Sequence, residues 1–351
     1  MENSRLFSLL ILIWAQIPVK VTQNLLLFIN YKDVQTQAAM KAILQAETPD
    51  LVVSSGDNLF TNGGVYETPG WYASHYQSFV QPMIDLNIPW AITTGNHDIH
   101  GDLDQVGISS LDRSYSLSRT LPPAGDFILD FNYILPIYDN AGTDIQYRLW
   151  FLDTGDLQCG DVYGYNCFRQ DQINWVKEES AKIADSDPSK GRGMMIFHIT
   201  LQQFMDLINE NEYYGRVGEI ICCQAQDTGM FKVIKDYKTV DWVACGHDHD
   251  SDFYGYYKGI GLSYGRKTGY THYGPKKLQH GARVFEIQIS PTYEIKTWIR
   301  NEDGSIENQT KTKRSIFTPK LKECCEAVTP YSISKKNVIQ TRALDKIIKK
   351  S

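Results

Sequence analysis

Side chains that can bind metal ions follow four short apolar runs of this 351-residue chain. The four groups are Gly56-Asp57-Asn58, Gly95-Asn96-His97-Asp98, Phe197-His198 and Gly246-His247-Asp248-His249. A lone histidine at the end of a strand is more often a hydrogen-bonded structural residue than a ligand, so one group alone is weak evidence. Four such groups, each at the end of a predicted strand, indicate a metal site at one edge of a layered sheet structure.

Apolar strands alternate with helical stretches along the chain, which predicts an α/β fold. The late segments Arg283–Ile289 and Glu294–Arg300 are predicted to pair as antiparallel strands. We expect one catalytic domain over residues 24–305. The other predicted strands are Leu25–Ile29, Leu51–Val53, Trp90–Thr94, Tyr147–Leu152, Met194–His198 and Trp242–Cys245, and the predicted helices are Val34–Ala46, His75–Leu86, Gln172–Ala184 and Phe231–Asp236.

The two ends of the chain differ from the middle. Arg5 precedes the apolar run Leu6–Ala15, which predicts a signal peptide over residues 1–22, with a buried first strand as the alternative. We expect residues 306–351 to form a partly ordered, solvated extension. That extension is basic, because residues 311–351 carry eleven Lys and Arg against three Asp and Glu.

Composition narrows the possible partners and the compartment. The net charge of -6 argues against general polyanion binding, so no nucleic acid is expected, and no later segment is apolar enough to span a membrane. A disulfide between Cys159 and Cys167 and the sequon at Asn308 agree with the secretory pathway, extracellular or in a lysosome-like or vacuole-like compartment. The cytoplasm is the alternative. Cys245 is expected to be a small buried apolar residue.

The order Gly-Asp, Gly-Asn-His-Asp, His, Gly-His-x-His resembles that of the calcineurin-like metallophosphoesterases, over residues 48–286. The segments Gly56–Phe60 and Gly281–Phe285 resemble a single-domain branch labelled purple acid phosphatase-like. This resemblance implies a β-sandwich of mixed sheets flanked by α-helices, a four-layer arrangement. It also implies two divalent ions between the strand ends, of the zinc, iron or manganese class.

The resemblance also implies roles for particular residues. Asp57 would bridge the two ions, and Asn96, His198 and His247 would complete the ligands of one. His249 would bind the other ion. His97 would face the substrate phosphate, and Asp98 would orient His97.

Two departures from the family pattern stand out. Phe60 occupies the position of the tyrosine ligand of the purple enzymes, so the purple colour is not expected. The family's first motif, Asp-x-His, is absent, since no histidine precedes His75 and no aspartate precedes Asp33. Asn30 or Asp33 could offer one oxygen ligand, but neither restores the pattern. Three explanations remain open: an error in the assembled gene, a degenerate, inactive or single-metal protein, or a replacement ligand from elsewhere in the chain.

The sequence therefore predicts hydrolysis of a phosphorylated substrate, with phosphomonoesters favoured over phosphodiesters. The alternative is an impaired or inactive homologue that keeps one metal site and phosphate binding. The chain has neither the Gly-x-Ser-x-Gly elbow of serine hydrolases nor the phosphate loop of nucleotide-binding proteins.

Overall fold

The computed structural model describes residues 6–12, 23–127, 129–314 and 320–325. No helix in these ranges is long and apolar enough to cross a membrane. The helices there are α1 (Gln23–Glu47), α2 (Trp71–Asp85), α3 (Gln105–Arg113), α4 (Gln170–Lys182), α5 (Gln203–Glu210) and α6 (Met230–Tyr237), with a short 3-10 helix at Gly64–Glu67. The strands are β1 (Leu6–Leu12), β2 (Leu51–Ser55), β3 (Trp90–Thr93), β4 (Tyr133–Tyr138), β5 (Ile145–Phe151), β6 (Leu157–Cys159), β7 (Val162–Tyr165), β8 (Gly193–Phe197), β9 (Glu212–Tyr214), β10 (Trp242–Cys245), β11 (Tyr254–Tyr257), β12 (Ile260–Tyr264), β13 (Gly281–Gln288), β14 (Glu294–Asn301), β15 (Ile306–Glu307) and β16 (Lys311–Lys313).

The strands form two large mixed sheets and a small hairpin. One sheet has the order β15-β14-β13-β1-β2-β3, and the other has the order β16-β9-β11-β12-β10-β8-β5-β4. Strands β6 and β7 pair with each other. In the first sheet β2 is parallel to β3, and in the second sheet β8 is parallel to β10, so ligand-bearing strand ends of each sheet lie on one edge.

The hydrophobic cores show why the layers stack as they do. In β8, Met194 and Ile196 pack into the core that also contains residues of β2 and α1, whereas Met195 and Phe197 pack into a second core with helices α4, α5 and α6. Side chains alternate between the faces of a strand, so β8 is buried on both faces. The result is two sheets with helices outside each, which confirms the predicted four-layer α/β fold.

Most predicted elements agree with the structure. The predicted strand Trp242–Cys245 coincides with β10, and the predicted helix Val34–Ala46 lies within α1. Strands β13 and β14 pair antiparallel in register from Gly281 with Asn301 to Gln288 with Glu294, as predicted.

The N-terminal strand prediction is wrong. Leu25–Ile29 lies inside α1, and the first strand of the sheet is β1, which pairs with β13 and β2. An apolar run of five residues fits a strand or a buried helix equally well, and here long-range pairing decides. Leu6–Leu12 forms a first strand, as the alternative to the signal peptide places it, and the signal peptide stays a prediction. The rest of the predicted signal peptide lies outside the described residues.

This correction moves the segment where the Asp-x-His motif is missing. The predicted strand Leu25–Ile29 and the predicted helix Val34–Ala46 placed this connection at residues 30–33. In the structure, the connection from β1 to α1 is residues 13–22, and its sequence contains neither aspartate nor histidine. The motif is therefore absent whether the first connection is placed at residues 30–33 or at residues 13–22. Residues 13–22 themselves lie outside the described part of the chain.

The predicted boundary at residue 305 is too early. Strand β15 pairs with β14, and β16 pairs with β9, so residues 306–313 complete the edges of both sheets. Residues 320–325 are attached to the domain by disulfides as well. The predicted Cys159–Cys167 bond is present and Cys245 is buried and free, and two further bonds not predicted from the sequence join Cys222 to Cys325 and Cys223 to Cys324.

Candidate metal centre

Two glycines bring the loops after β2 and β3 into contact. Gly56 has φ of +95°, and a side chain there would lie 2.6 Å from the backbone nitrogen of Gly95. A side chain on Gly95 would lie 2.3 Å from Oδ1 of Asp57. Only glycine permits this close approach, so these two positions place Asp57 next to the Asn96 loop.

Three predicted ligands meet in one buried cluster. Nε2 of His198 lies 3.1 Å from Oδ2 of Asp57 and 3.2 Å from Nδ1 of His247. Candidate ligand atoms of these three residues all lie within 4.8 Å of one another. Nδ1 of His198 is 2.9 Å from the carbonyl oxygen of Ser55, and donation to that oxygen leaves Nε2 free to bind a cation.

Two further polar atoms support a cation at this place. Oδ1 of Asn96 and Nε2 of His247 are buried and have no hydrogen-bond partner within the described chain. Buried polar atoms normally have a partner, and a carboxylate, an amide oxygen and two imidazoles form a suitable donor set for a divalent ion of the zinc, iron or manganese class. The residues Asp57, Asn96, His198 and His247 therefore fit one such ion.

The protonation states of Asp57 and His247 also favour cation binding. Burial would raise the pKa of Asp57, but the charge and the hydrogen bond of the neighbouring His198 outweigh it and hold that pKa well below its ordinary value. Burial lowers the pKa of His247 well below its ordinary value, and His198 adds to the effect. Asp57 is thus ionised and His247 neutral, the forms that coordinate metals.

The second site of the family does not fit an ion in the same way. His249 is 2% exposed, and its Nδ1 lies 3.0 Å from the carbonyl oxygen of Tyr273. Within the described residues, His249 belongs to no cluster of three His, Cys, Asp or Glu ligands. The cluster of Cys222, His247 and Asp248 has its sulfur in a disulfide. Among the described residues, the clustered His and Asp ligands are therefore those at Asp57, His198 and His247, and His249 lies outside that cluster.

A buried lysine lies beside His249. Lys267 is fully buried, and its Nζ donates to the carbonyl oxygens of Thr271 and Tyr273 and lies 3.3 Å from Nδ1 of His249. Burial lowers the pKa of Lys267 to about 7. The side chain fixes the loop that carries His272 into the site.

The predicted residues open onto a cleft of 360 Å³. Asp57, Asn96, His97, His247 and His249 line it, while His198 is buried beside Asp57. The cleft is also lined by residues that the sequence analysis did not assign to the site: Phe60, Asn62, His100, Asp156, Leu157, Tyr165, Cys222, Asp248, His272 and Tyr273.

His97 occupies the cleft wall as a largely apolar contact. Its ring centroid lies 4.3 Å from that of Phe60 and 5.5 Å from that of His272, and its Nδ1 is buried without a partner in the described chain. Burial lowers the pKa of His97, so the ring is neutral at neutral pH. A neutral imidazole can orient a phosphoryl group through a hydrogen bond, but it lacks the second, acidic proton of an imidazolium ion.

The described hydrogen bonds give Asp98 partners other than the predicted one, His97. Its Oδ2 accepts hydrogen bonds from the backbone of Asn58 and Gly95, and its Oδ1 accepts from the backbone of Leu59 and from Tyr72. No described hydrogen bond joins it to His97. Burial raises the pKa of Asp98 to about 6. The carboxyl group therefore ties the Asp57 loop to the Asn96 loop, because its backbone donors lie on these two loops.

Comparison with known proteins agrees with this geometry. The family described as calcineurin-like phosphoesterase matches residues 32–251. The chain is 31% identical over 295 residues to probable inactive purple acid phosphatase 29 of Arabidopsis thaliana, covering 77% of this chain and 75% of that protein. It is 28% identical to probable inactive purple acid phosphatase 14 of the same plant, covering 85% and 81%. A dimetal phosphatase from Danio rerio has a similar fold, with a TM-score of 0.56 at 14% identity over 88% of this chain and 99% of that one.

Proposed function

Because this chain belongs to the calcineurin-like phosphoesterase family, we propose that it hydrolyses phosphomonoesters with a divalent ion held by Asp57, Asn96, His198 and His247. The observation that carries the proposal is the buried Asp57–His198–His247 cluster at the floor of the cleft. An ion bound there would neutralise phosphoryl charge and lower the pKa of a water molecule.

The remaining residues bind and orient the substrate. His97 is placed to donate or accept a hydrogen bond at the phosphoryl group, since its Nδ1 has no partner within the described chain. Phe60 packs against His97 and excludes water from one side of that ring. The substrate is expected to be a small or surface-exposed phosphate ester. The reason is that the cleft is small, is lined by aromatic and imidazole rings, and has the proposed metal ligands at its buried end.

Hydrolysis of two chromogenic esters tests this proposal. We expect the protein loaded with zinc, manganese or iron(II) to release 4-nitrophenol from 4-nitrophenyl phosphate faster than from bis(4-nitrophenyl) phosphate, and EDTA to stop both reactions. His247→Ala should lower turnover by about 10²-fold or more, since it removes a ligand. The matched control is His75→Ala, whose ring stacks on Trp71 outside the cleft. Metal-independent turnover, or turnover unchanged in His247→Ala, would contradict the proposal.

A second candidate function is phosphate binding without turnover. Two observations favour it: His249 lacks a ligand cluster among the described residues, and the two plant relatives are named probable inactive. It predicts metal and phosphate binding to the protein with negligible hydrolysis of either ester. Rapid, metal-dependent turnover would rule it out.

We also propose that the protein passes through the secretory pathway, with the cytoplasm as the alternative. Six of its seven cysteines form three disulfides, which persist in oxidising compartments. The sequon asparagine, Asn308, lies in the short connection between β15 and β16 at the edges of the sheets. Expression in a eukaryotic cell tests this: secreted protein whose mass falls on deglycosylation supports it, and a reduced, unglycosylated cytoplasmic protein contradicts it.

A further inference from the structure

A histidine–aspartate pair lies in the cleft away from the metal ligands. Nε2 of His100 lies 3.1 Å from Oδ2 of Asp156, and the two side chains are 26% and 19% exposed. Both residues line the same 360 Å³ cleft as Asp57 and His97. The pair therefore has access to a ligand in the cleft without direct contact with the Asp57–His198–His247 cluster.

The backbone on the histidine side is held firmly. The backbone nitrogen of His100 donates to Oγ1 of Thr61 at 2.8 Å, and its carbonyl oxygen accepts from Gly63 at 2.7 Å. These bonds fasten the turn after β3 to the loop after β2. The imidazole is therefore presented from a fixed position.

The aspartate side is held as well. Asp156 lies between β5 and β6, and its carbonyl oxygen accepts from the backbone of Asn166 at 3.0 Å. The β6–β7 hairpin that follows is closed by the Cys159–Cys167 disulfide. An ion pair between two fixed loops keeps its geometry at low entropic cost.

Because Nε2 of His100 faces Asp156, Nδ1 is the ring nitrogen that remains available to a substrate. An imidazole that donates from Nε2 to a carboxylate keeps its second N–H, on Nδ1, for another acceptor when it is protonated. The hydrogen bond to Asp156 raises the pKa of His100, which favours the protonated ring that can donate from Nδ1.

We propose that His100, positioned by Asp156, donates a proton to the leaving-group oxygen of the phosphoester. This inference rests on the proposed phosphomonoesterase function. In the step, the oxygen of water forms a bond to phosphorus while the bond from phosphorus to the leaving oxygen breaks. The Nδ1 proton of His100 passes to that oxygen, which leaves as an alcohol. The attacking water releases a proton to the solvent, and the neutral imidazole takes up a proton from the solvent. The net reaction is therefore ester plus water to alcohol plus phosphate.

A series of monoesters with different leaving groups tests the role. A good leaving group such as 4-nitrophenolate departs without a proton, whereas an alkoxide such as that of glycerol needs one. In the metal-loaded protein, His100→Gln should lower kcat/KM for glycerol phosphate by about 10²-fold or more and for 4-nitrophenyl phosphate by only a few-fold. Asp156→Asn, which removes the positioning carboxylate, should act in the same direction by about 10-fold.

Controls separate this role from a structural one. His75→Gln is the matched control and should leave both esters unaffected, because His75 stacks on Trp71 outside the cleft. If His100→Gln unfolds, Asp156→Asn provides the same comparison of leaving groups. Equal losses on both esters would overturn the proton-donor role while the phosphomonoesterase function stands. Absence of turnover by the wild-type protein would overturn both.

Discussion

A buried ion pair beneath the Gly-His-x-His loop gives a sharp prediction of stability. Asp252 and Arg266 are both fully buried, and Nε of Arg266 donates to Oδ2 of Asp252 at 3.0 Å, with a second contact from Nη2. Oδ1 of Asp252 also accepts from the backbone of Arg216 at 2.7 Å. Asp252→Ala removes these acceptors and leaves a guanidinium group buried with fewer partners.

The magnitude follows from the partners that remain. Breaking a buried pair by removing one member costs about 3–5 kcal/mol. Arg266 keeps Glu307, whose side chain is 34% exposed, and the carbonyl oxygen of Gln279. We therefore expect a loss of about 3 kcal/mol, at the lower end of that range, and a fall in Tm of about 6–10 °C for a domain of this size.

The assay is urea denaturation of the wild type, the single variants Asp252→Ala and Arg266→Met, and the double variant. Removing both charges leaves no unpaired buried ion, so the double variant should be about 2 kcal/mol more stable than the sum of the single changes predicts. A loss below about 1 kcal/mol in Asp252→Ala, or strictly additive effects, would refute the reasoning.

Three further predictions concern the site and its frame. Asp98→Asn should lower the free energy of unfolding by about 2–3 kcal/mol and weaken metal binding, because five donors face its carboxylate. Lost activity with unchanged stability would contradict this role. Burial raises the pKa of Asp241 to about 6, so the folded protein binds the proton of this carboxyl group more tightly than the unfolded chain does. The contribution of Asp241 to the free energy of unfolding therefore falls as pH rises from about 4 to about 6. Thermal unfolding of Asp241→Asn should show a flatter dependence on pH in that range. Replacing Cys159 and Cys167 by serine removes the disulfide that closes a short loop and should destabilise the protein by about 2–3 kcal/mol in chemical denaturation. An unchanged free energy of unfolding would contradict this, because it would mean that the disulfide does not restrict the unfolded chain.

The candidate ligands of the proposed metal centre were identified from local sequence. Asp57, Asn96, His198 and His247 each follow an apolar strand, and a glycine precedes all of them except His198. Parallel strands bring such positions to one edge, so the order of the chain already implied the cluster. The close approach of Gly56 and Gly95 is also a local property, because it requires only that both residues lack a side chain.

The predictions that failed concern structure that depends on contacts between residues far apart in the sequence. The place of Leu6–Leu12 in the sheet depends on β13, nearly 300 residues away, which no local pattern reports. The Cys222–Cys325 and Cys223–Cys324 bonds join segments separated by 103 and 101 residues. Adjacent cysteines give no indication of their partners.

The cleft residues outside the motifs could not be identified for a similar reason. His272 and Asp156 enter through loops whose shape depends on tertiary contacts, such as the bonds that Lys267 makes to the carbonyl oxygens around His272. His100 was the nearest to detection, because it follows the Gly-Asn-His-Asp motif by two residues. Asp98 was assigned to the adjacent imidazole, whereas the structure shows it accepting hydrogen bonds from the backbone of Asn58, Leu59 and Gly95.

The central claim is that Asp57, Asn96, His198 and His247 hold a divalent ion tightly while the site at His249 does not. The most direct test is elemental analysis after equilibration with zinc and desalting. The wild type is predicted to retain about one ion per chain, and His198→Ala, which removes a buried imidazole bonded to Asp57, is predicted to retain close to none. A wild type that retains no ion, or a His198→Ala variant that retains as much as the wild type, would contradict this account.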